Sequence, residues 1–193
     1  MPAHQIVIPA LPTMPLLGVL AMVVTCAWLH GRGLLSAPRV AAGWFAGWYA
    51  VAVVGATMLP MPLTWGSGTG GPELFRFLLL PVLDMRPMDF VLNTVMMLPL
   101  GTVLHTVFGV RGRRRVVLTG FLVSLTIELT QAFLILTLHG NRWADVNDLM
   151  SNTLGTFLGY LVFQRLMRSA RFHRAVESCS FPRSARETSA AVR

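Results

Sequence analysis

Val116–Leu138 reads VVLTGFLVSLTIELTQAFLILTL, long enough to cross a hydrocarbon core, which takes about 20 apolar residues. In its middle stands one carboxyl group, Glu128, with Ser124 four residues before it and Gln131 three after. A charge at the centre of a span costs about 2.5–3.5 kcal/mol on insertion scales. A span that carries one therefore turns it towards a partner or a wet cavity. At 100° per residue, Ser124, Glu128 and Gln131 share one helical face, which predicts one wall of a polar pocket.

The rest of the chain agrees with a membrane setting. Of its 193 residues, 54% are hydrophobic and 12% charged, against about 25% charged in soluble domains. Mean hydropathy is +0.61. Five apolar runs, near 11–29, 40–59, 89–110, 116–138 and 148–167, are candidate spans. The first lacks the basic flank and cleavage site of a signal peptide and is expected to be an uncleaved span. Residues 74–83 (LFRFLLLPVL) are too short to cross and suit an interfacial or re-entrant segment. The expected fold is all-α, a polytopic bundle of about five transmembrane helices. Its expected parts are two spans in 1–60, an outer loop with the interfacial segment in 61–88, a three-span core in 89–167, and a loosely ordered basic tail in 168–193.

All sixteen basic residues are arginines. If five spans alternate, thirteen of them lie on one side and only Arg76, Arg86 and Arg142 on the other. The arginine-rich side faces the cytoplasm, so the N-terminus is expected outside and the C-terminus inside. The net charge of +8 is then a topology signal and a lipid-facing tail, with no nucleic-acid partner implied. Cys26 and Cys179 make no disulfide framework.

Two further runs carry polar stripes. Asp89 and Asn93 open the third, and Arg142, Asp145, Asp148 and Asn152 lead into the fifth, provided its helix begins before Asp145. With the orientation above, all three stripes lie towards the outer leaflet. Arg142 is the nearest cation to Glu128 by depth; it is a candidate clamp for a phosphate or carboxylate, and a salt bridge to Asp145 or Asp148 is its plain structural role. Asp89, Asp145 and Asp148 are able in principle to hold a hard cation, but no Cys/His zinc spacing exists and no metal or other cofactor is assigned. Glu128, with Asp148 or Asp145, is the candidate acid–base group, whereas Ser124 lacks a histidine base. His105 lies far from the cluster, and His139 is expected to meet solvent. Pro99 and Gly101 should kink the third run, and Gly155 and Gly159 should let helices approach closely.

In order and spacing these residues resemble the VanZ-like membrane proteins. The resemblance rests on Asp89-x3-Asn93, Leu98-Pro99-Leu100-Gly101, Ser124-x3-Glu128-x2-Gln131 and Arg142-x2-Asp145-x2-Asp148-x3-Asn152-x2-Gly155-x3-Gly159, and covers Asp89 to Phe163. Met96-Met97-Leu98 stands where the family usually has a bulky aromatic, a change of packing. The resemblance implies a multi-pass protein of the bacterial cytoplasmic membrane, linked through the family's namesake to low-level teicoplanin resistance. Membrane lipids and a cell-wall precursor or glycopeptide-related ligand are the partners it implies. Three alternatives stand beside ligand recognition: an enzyme using Glu128, a proton-coupled transporter, and stripes that only pack helices together. Five spans without an inverted repeat do not favour the transporter.

Overall fold

In the computed structural model, residues 3–66, 68, 70–83 and 85–181 are described. Strand β1 (His4–Ile8) leads into helix α1 (Ala10–Gly31), and helix α2 (Ala37–Met58) returns to strand β2 (Met61–Trp65). A 3₁₀ turn at Leu74–Arg76 and strand β3 (Phe77–Leu78) precede α3 (Pro87–Met97) and α4 (Leu100–Thr106). Then come α5 (Arg113–Leu138), β4 (Ala144–Asp145), α6 (Val146–Leu166) and α7 (Ala170–Cys179). Among the described residues, four helical stretches are long and apolar enough to cross a membrane: Ala10–Gly31, Ala37–Met58, Pro87–Thr106 and Arg113–Leu138. Helix α6 is 21 residues long, but Asn147, Asp148, Ser151 and Asn152 dilute its apolar character. On α1, Leu16, Leu20, Val23 and Val24 stand exposed, a surface that acyl chains cover as readily as side chains would.

The third run is two helices because of Pro99. Proline has no N–H and its ring crowds the carbonyl four residues back, so the Val95 carbonyl accepts from Leu98 N–H at 3.2 Å and α3 ends. Helix α4 restarts with Val103 N–H donating to the Pro99 carbonyl at 3.1 Å. Helices α3 and α4 both lie along α6, where Gly155 and Gly159 form the seam. A Cβ at Gly155 would overlap the Thr94 carbonyl oxygen, and one at Gly159 the Leu98 carbonyl oxygen. The expected close approach therefore exists, with backbone as the neighbour. Met97, Leu100, Leu104 and Val116 form the buried apolar core beside it.

Two small sheets depart from the all-α expectation. Strands β1 and β2 pair antiparallel, with His4 opposite Trp65, and β3 and β4 pair parallel, with Leu78 opposite Asp145. Both satisfy loop backbone that a membrane-bounded chain cannot leave unpaired. They also set α1 antiparallel to α2 and gather the segment before α1 and the α2–α3 and α5–α6 connections at one end of the bundle. The loop after β2 is tied down there too, since His139 sits 3.3 Å from the carbonyls of both Thr64 and Gly70. His139 was expected to meet solvent. It ends α5 in the left-handed conformation, φ 49°, and that turn aims its ring at the loop.

At the opposite end the tail is more ordered than its arginine content predicts. Helix α7 packs on α2 and α4, with Val176 and Phe181 buried. Phe181 N–H donates to the Thr106 carbonyl at 3.0 Å, and the Phe172 ring meets Phe163 edge-on. His105 is part of this end, its ring 4.9 Å from that of Phe163. Residues 182–193, also expected to be loosely ordered, lie outside the described residues.

Candidate functional site

Asp145 stands at the N-cap of α6, outside the helix, so the condition for a helical stripe through Asp145 is not met. Aspartate is a favoured cap because its side chain accepts from an otherwise orphaned N–H. Its Oδ1 accepts from the Asn147 backbone N–H at 2.7 Å and from Asn147 Nδ2 at 2.9 Å. Asn147 Oδ1 in turn accepts from Val82 N–H at 2.8 Å. The segment foreseen as interfacial or re-entrant is thereby fixed against the start of α6.

The same cap orients Glu128. Asp145 N–H donates to Glu128 Oε2 at 2.8 Å, a buried contact between α5 and the start of α6. The partner of Glu128 is thus a backbone amide where Arg142 had been foreseen. Arg142 Nη2 donates instead to the Leu59 carbonyl, at the C-cap of α2, where helix geometry leaves acceptors free and the dipole favours a cation. Among the described residues no ion pair joins Arg142 to Asp145 or Asp148, so the foreseen salt bridge is corrected as well. Sequence spacing compares side chains with side chains and does not register backbone partners.

Amide side chains complete the inner wall. Asn152 Nδ2 donates to Ser124 Oγ at 3.0 Å, joining α6 to α5. Gln131 Nε2 donates to the Thr57 carbonyl at 2.9 Å, joining α5 to α2. Each amide is at least nine-tenths buried, Gln131 with 5% and Asn152 with 1% of its surface exposed. Yet Gln131 Oε1, Asn152 Oδ1 and Arg142 Nε have no hydrogen-bond partner.

On α3, Asn93 faces the carboxyl group of Asp148. Asp89, one turn earlier, pairs with Arg86 at 3.8 Å across a half-exposed contact. Arg86 also lies over the Trp143 ring, 4.6 Å from its centroid. Arg76 approaches the same ring at 5.5 Å and donates to the Asn141 carbonyl at 2.9 Å.

These side chains enclose a cavity of about 580 Å³, within the range of small-molecule sites. Asp89, Asn93, Glu128, Gln131, Arg142, Asp145, Asp148 and Asn152 all line it. Of the nine residues assigned to the polar stripes from sequence, Ser124 alone does not; it stands behind, holding Asn152. Sequence reasoning missed Thr57, Arg86 and Trp143, which also line the cavity. The available signals were Arg86 at i−3 to Asp89 and the aromatic directly after Arg142. Thr57 takes part through its carbonyl, which has no signature in sequence.

The arrangement offers two kinds of contact. Gln131 Oε1, Asn152 Oδ1 and four carboxyl groups accept hydrogen bonds, while Arg86 and Arg142 suit an anionic oxygen. No histidine lines the cavity. Among the described residues, no three His, Cys, Asp or Glu side chains converge closely enough to hold a metal ion. Asp145, spent on its cap, and Asp89, paired with Arg86, do not meet Asp148 as a ligand set.

A family model described as VanZ/LLP1 matches residues 46–168, which takes in the latter part of α2, the Thr57 and Leu59 carbonyls at its end, and α3–α6. No curated protein and no solved structure matches the chain.

Proposed function

The chain belongs to the VanZ/LLP1 family, and on that premise we propose that its polar cavity recognises the polar group of a lipid-linked or cell-wall-derived ligand. In this reading α6 is a fifth crossing, and the arginine-rich end with α7 faces the cytoplasm. The cavity then opens at the outer leaflet of the bacterial cytoplasmic membrane, where such material is found. Protection against teicoplanin is the phenotype expected of the site.

The observation that carries the reading is that three residues lining one cavity, Gln131, Asn152 and Arg142, from three segments, each hold an unpartnered buried polar atom: Oε1, Oδ1 and Nε. Leaving a buried polar atom unsatisfied costs about 1–3 kcal/mol. A network that served only to pack helices has no reason to retain three of them around a space. Part of the cluster does pack helices, as the Ser124–Asn152 bond illustrates, but packing does not account for the cavity.

The test is teicoplanin susceptibility in a sensitive host, comparing wild type with Glu128→Gln at matched membrane levels. Wild type should protect and the variant should not. Equal protection by both would contradict a functional carboxyl group, and protection by neither would contradict the glycopeptide phenotype.

A further inference from the structure

A second cavity, of about 570 Å³, lies between α2, α4 and α5. It is apolar: Ala46, Ala50 and Val54 of α2 face Met97, Val103 and Val123 across it. Small residues on α2 give it depth, and Val54 and Phe108 at its edge are 43% and 65% exposed, so it is open sideways. Along α2 it runs from Gly43 to Thr57, about 21 Å by helical rise. That length takes a chain reaching the midplane of a hydrocarbon core about 30 Å thick. Phe181 stands at the far end of this groove.

The two cavities are neighbours. Thr57 and Ile127 line both, and the bond from Gln131 Nε2 to the Thr57 carbonyl stands at their boundary. The change from polar to apolar lining thus falls at one point on α2 and one on α5. A ligand fitting both spaces has a polar head and an apolar chain in that order.

We propose that the protein holds an amphiphile lengthwise, its head in the polar cavity and one apolar chain in the α2–α4–α5 groove, the head carrying both a phosphate and an ammonium group. This rests on the polar cavity being a recognition site. Charge complementarity selects the head: four carboxyl groups, on Asp89, Glu128, Asp145 and Asp148, stand against two guanidinium groups, on Arg86 and Arg142. A head that is only anionic meets an excess of carboxyl groups, and an uncharged head leaves Arg142 Nε without an anionic partner. An ammonium group can donate to Gln131 Oε1, Asn152 Oδ1 and Glu128, while a phosphate oxygen accepts from Arg142 Nε. The apolar chain leaves water for the groove and needs no polar partner there.

The experiment uses the full chain in alkyl-maltoside micelles doped with one of three probes, each with a photoreactive diazirine at the end of the same single chain. The heads are phosphoethanolamine, phosphoglycerol and a bare hydroxyl group. The phosphoethanolamine probe should be retained about tenfold better than the other two. Its label should map to α2 and α4 residues of the groove in preference to the exposed face of α1 around Leu16–Val24. Ala50→Trp and, separately, Val54→Trp should cut groove labelling about tenfold. The head preference should survive in these variants, which also demonstrates that they are folded. Preferred retention with label spread evenly over α1 and the groove would overturn the placement of the chain and leave the recognition site standing. Equal retention of all three probes would overturn the recognition site itself.

Discussion

Glu128 and Asp145 illustrate how one backbone amide can decide what a carboxyl group is for. Glu128 Oε2 accepts from Asp145 N–H, and an amide oxygen can take the same bond. Glu128→Gln should therefore leave thermal stability close to wild type, whereas Glu128→Ala strands a buried N–H and should cost about 1–3 kcal/mol. Thermal unfolding in mild detergent measures both, and a Gln variant as unstable as the Ala variant would make the charge itself structural. The cap gives a parallel test. Asp145→Asn should keep the bond to Asn147 N–H, and Asp145→Ala should lose about 1 kcal/mol. At this scale the sequence was informative where both partners were side chains on one face, as with Ser124, Glu128 and Gln131. It missed the partners of Arg142 and Asp145, which are a helix-end carbonyl and a helix-start amide.

The seam between α3–α4 and α6 depends on backbone approaching backbone at Gly155 and Gly159. Alanine at either position should destabilise the protein by about 1–3 kcal/mol, the usual cost of overpacking, because the Thr94 and Leu98 carbonyls cannot swing aside like a flexible side chain. Gly31→Ala is the control: it lies in α1, and nothing surrounds its Cβ position. That substitution should be neutral or slightly stabilising, and equal losses at all three positions would contradict the seam. The helix break was legible, since proline at 99 removes a donor wherever it sits. The strands and α7 were not. His4–Ile8 adjoins the first apolar run, and its pairing with Met61–Trp65 is a long-range contact. In α7 the arginines drew attention from Phe172 and Val176, which turn the helix onto the bundle.

As a whole, the molecule keeps its cavity carboxyl groups at one end and a run of arginines at the other. The carboxyl groups of the cavity and three arginines gather where α2 and α5 end and α3 and α6 begin, while Arg113, Arg114 and Arg115 open α5 at the other end. The proposed orientation has a direct check in a chain with Cys26 and Cys179 replaced by serine. A membrane-impermeant maleimide added to intact cells should label Gly71→Cys and leave Ser169→Cys unlabelled, and the reverse pattern would place the cavity at the cytoplasmic face. Four helices of crossing length and apolarity were readable from run length, whereas α6, the fifth run, falls short of that apolarity because its first turns supply the site. The property on which the rest depends is ligand binding in the polar cavity. Native mass spectrometry of gently extracted protein tests this most directly by comparing wild type with Glu128→Gln. The expected result is one amphiphile-sized adduct on wild type, reduced about tenfold on the variant; identical spectra, or no adduct on either, would contradict it.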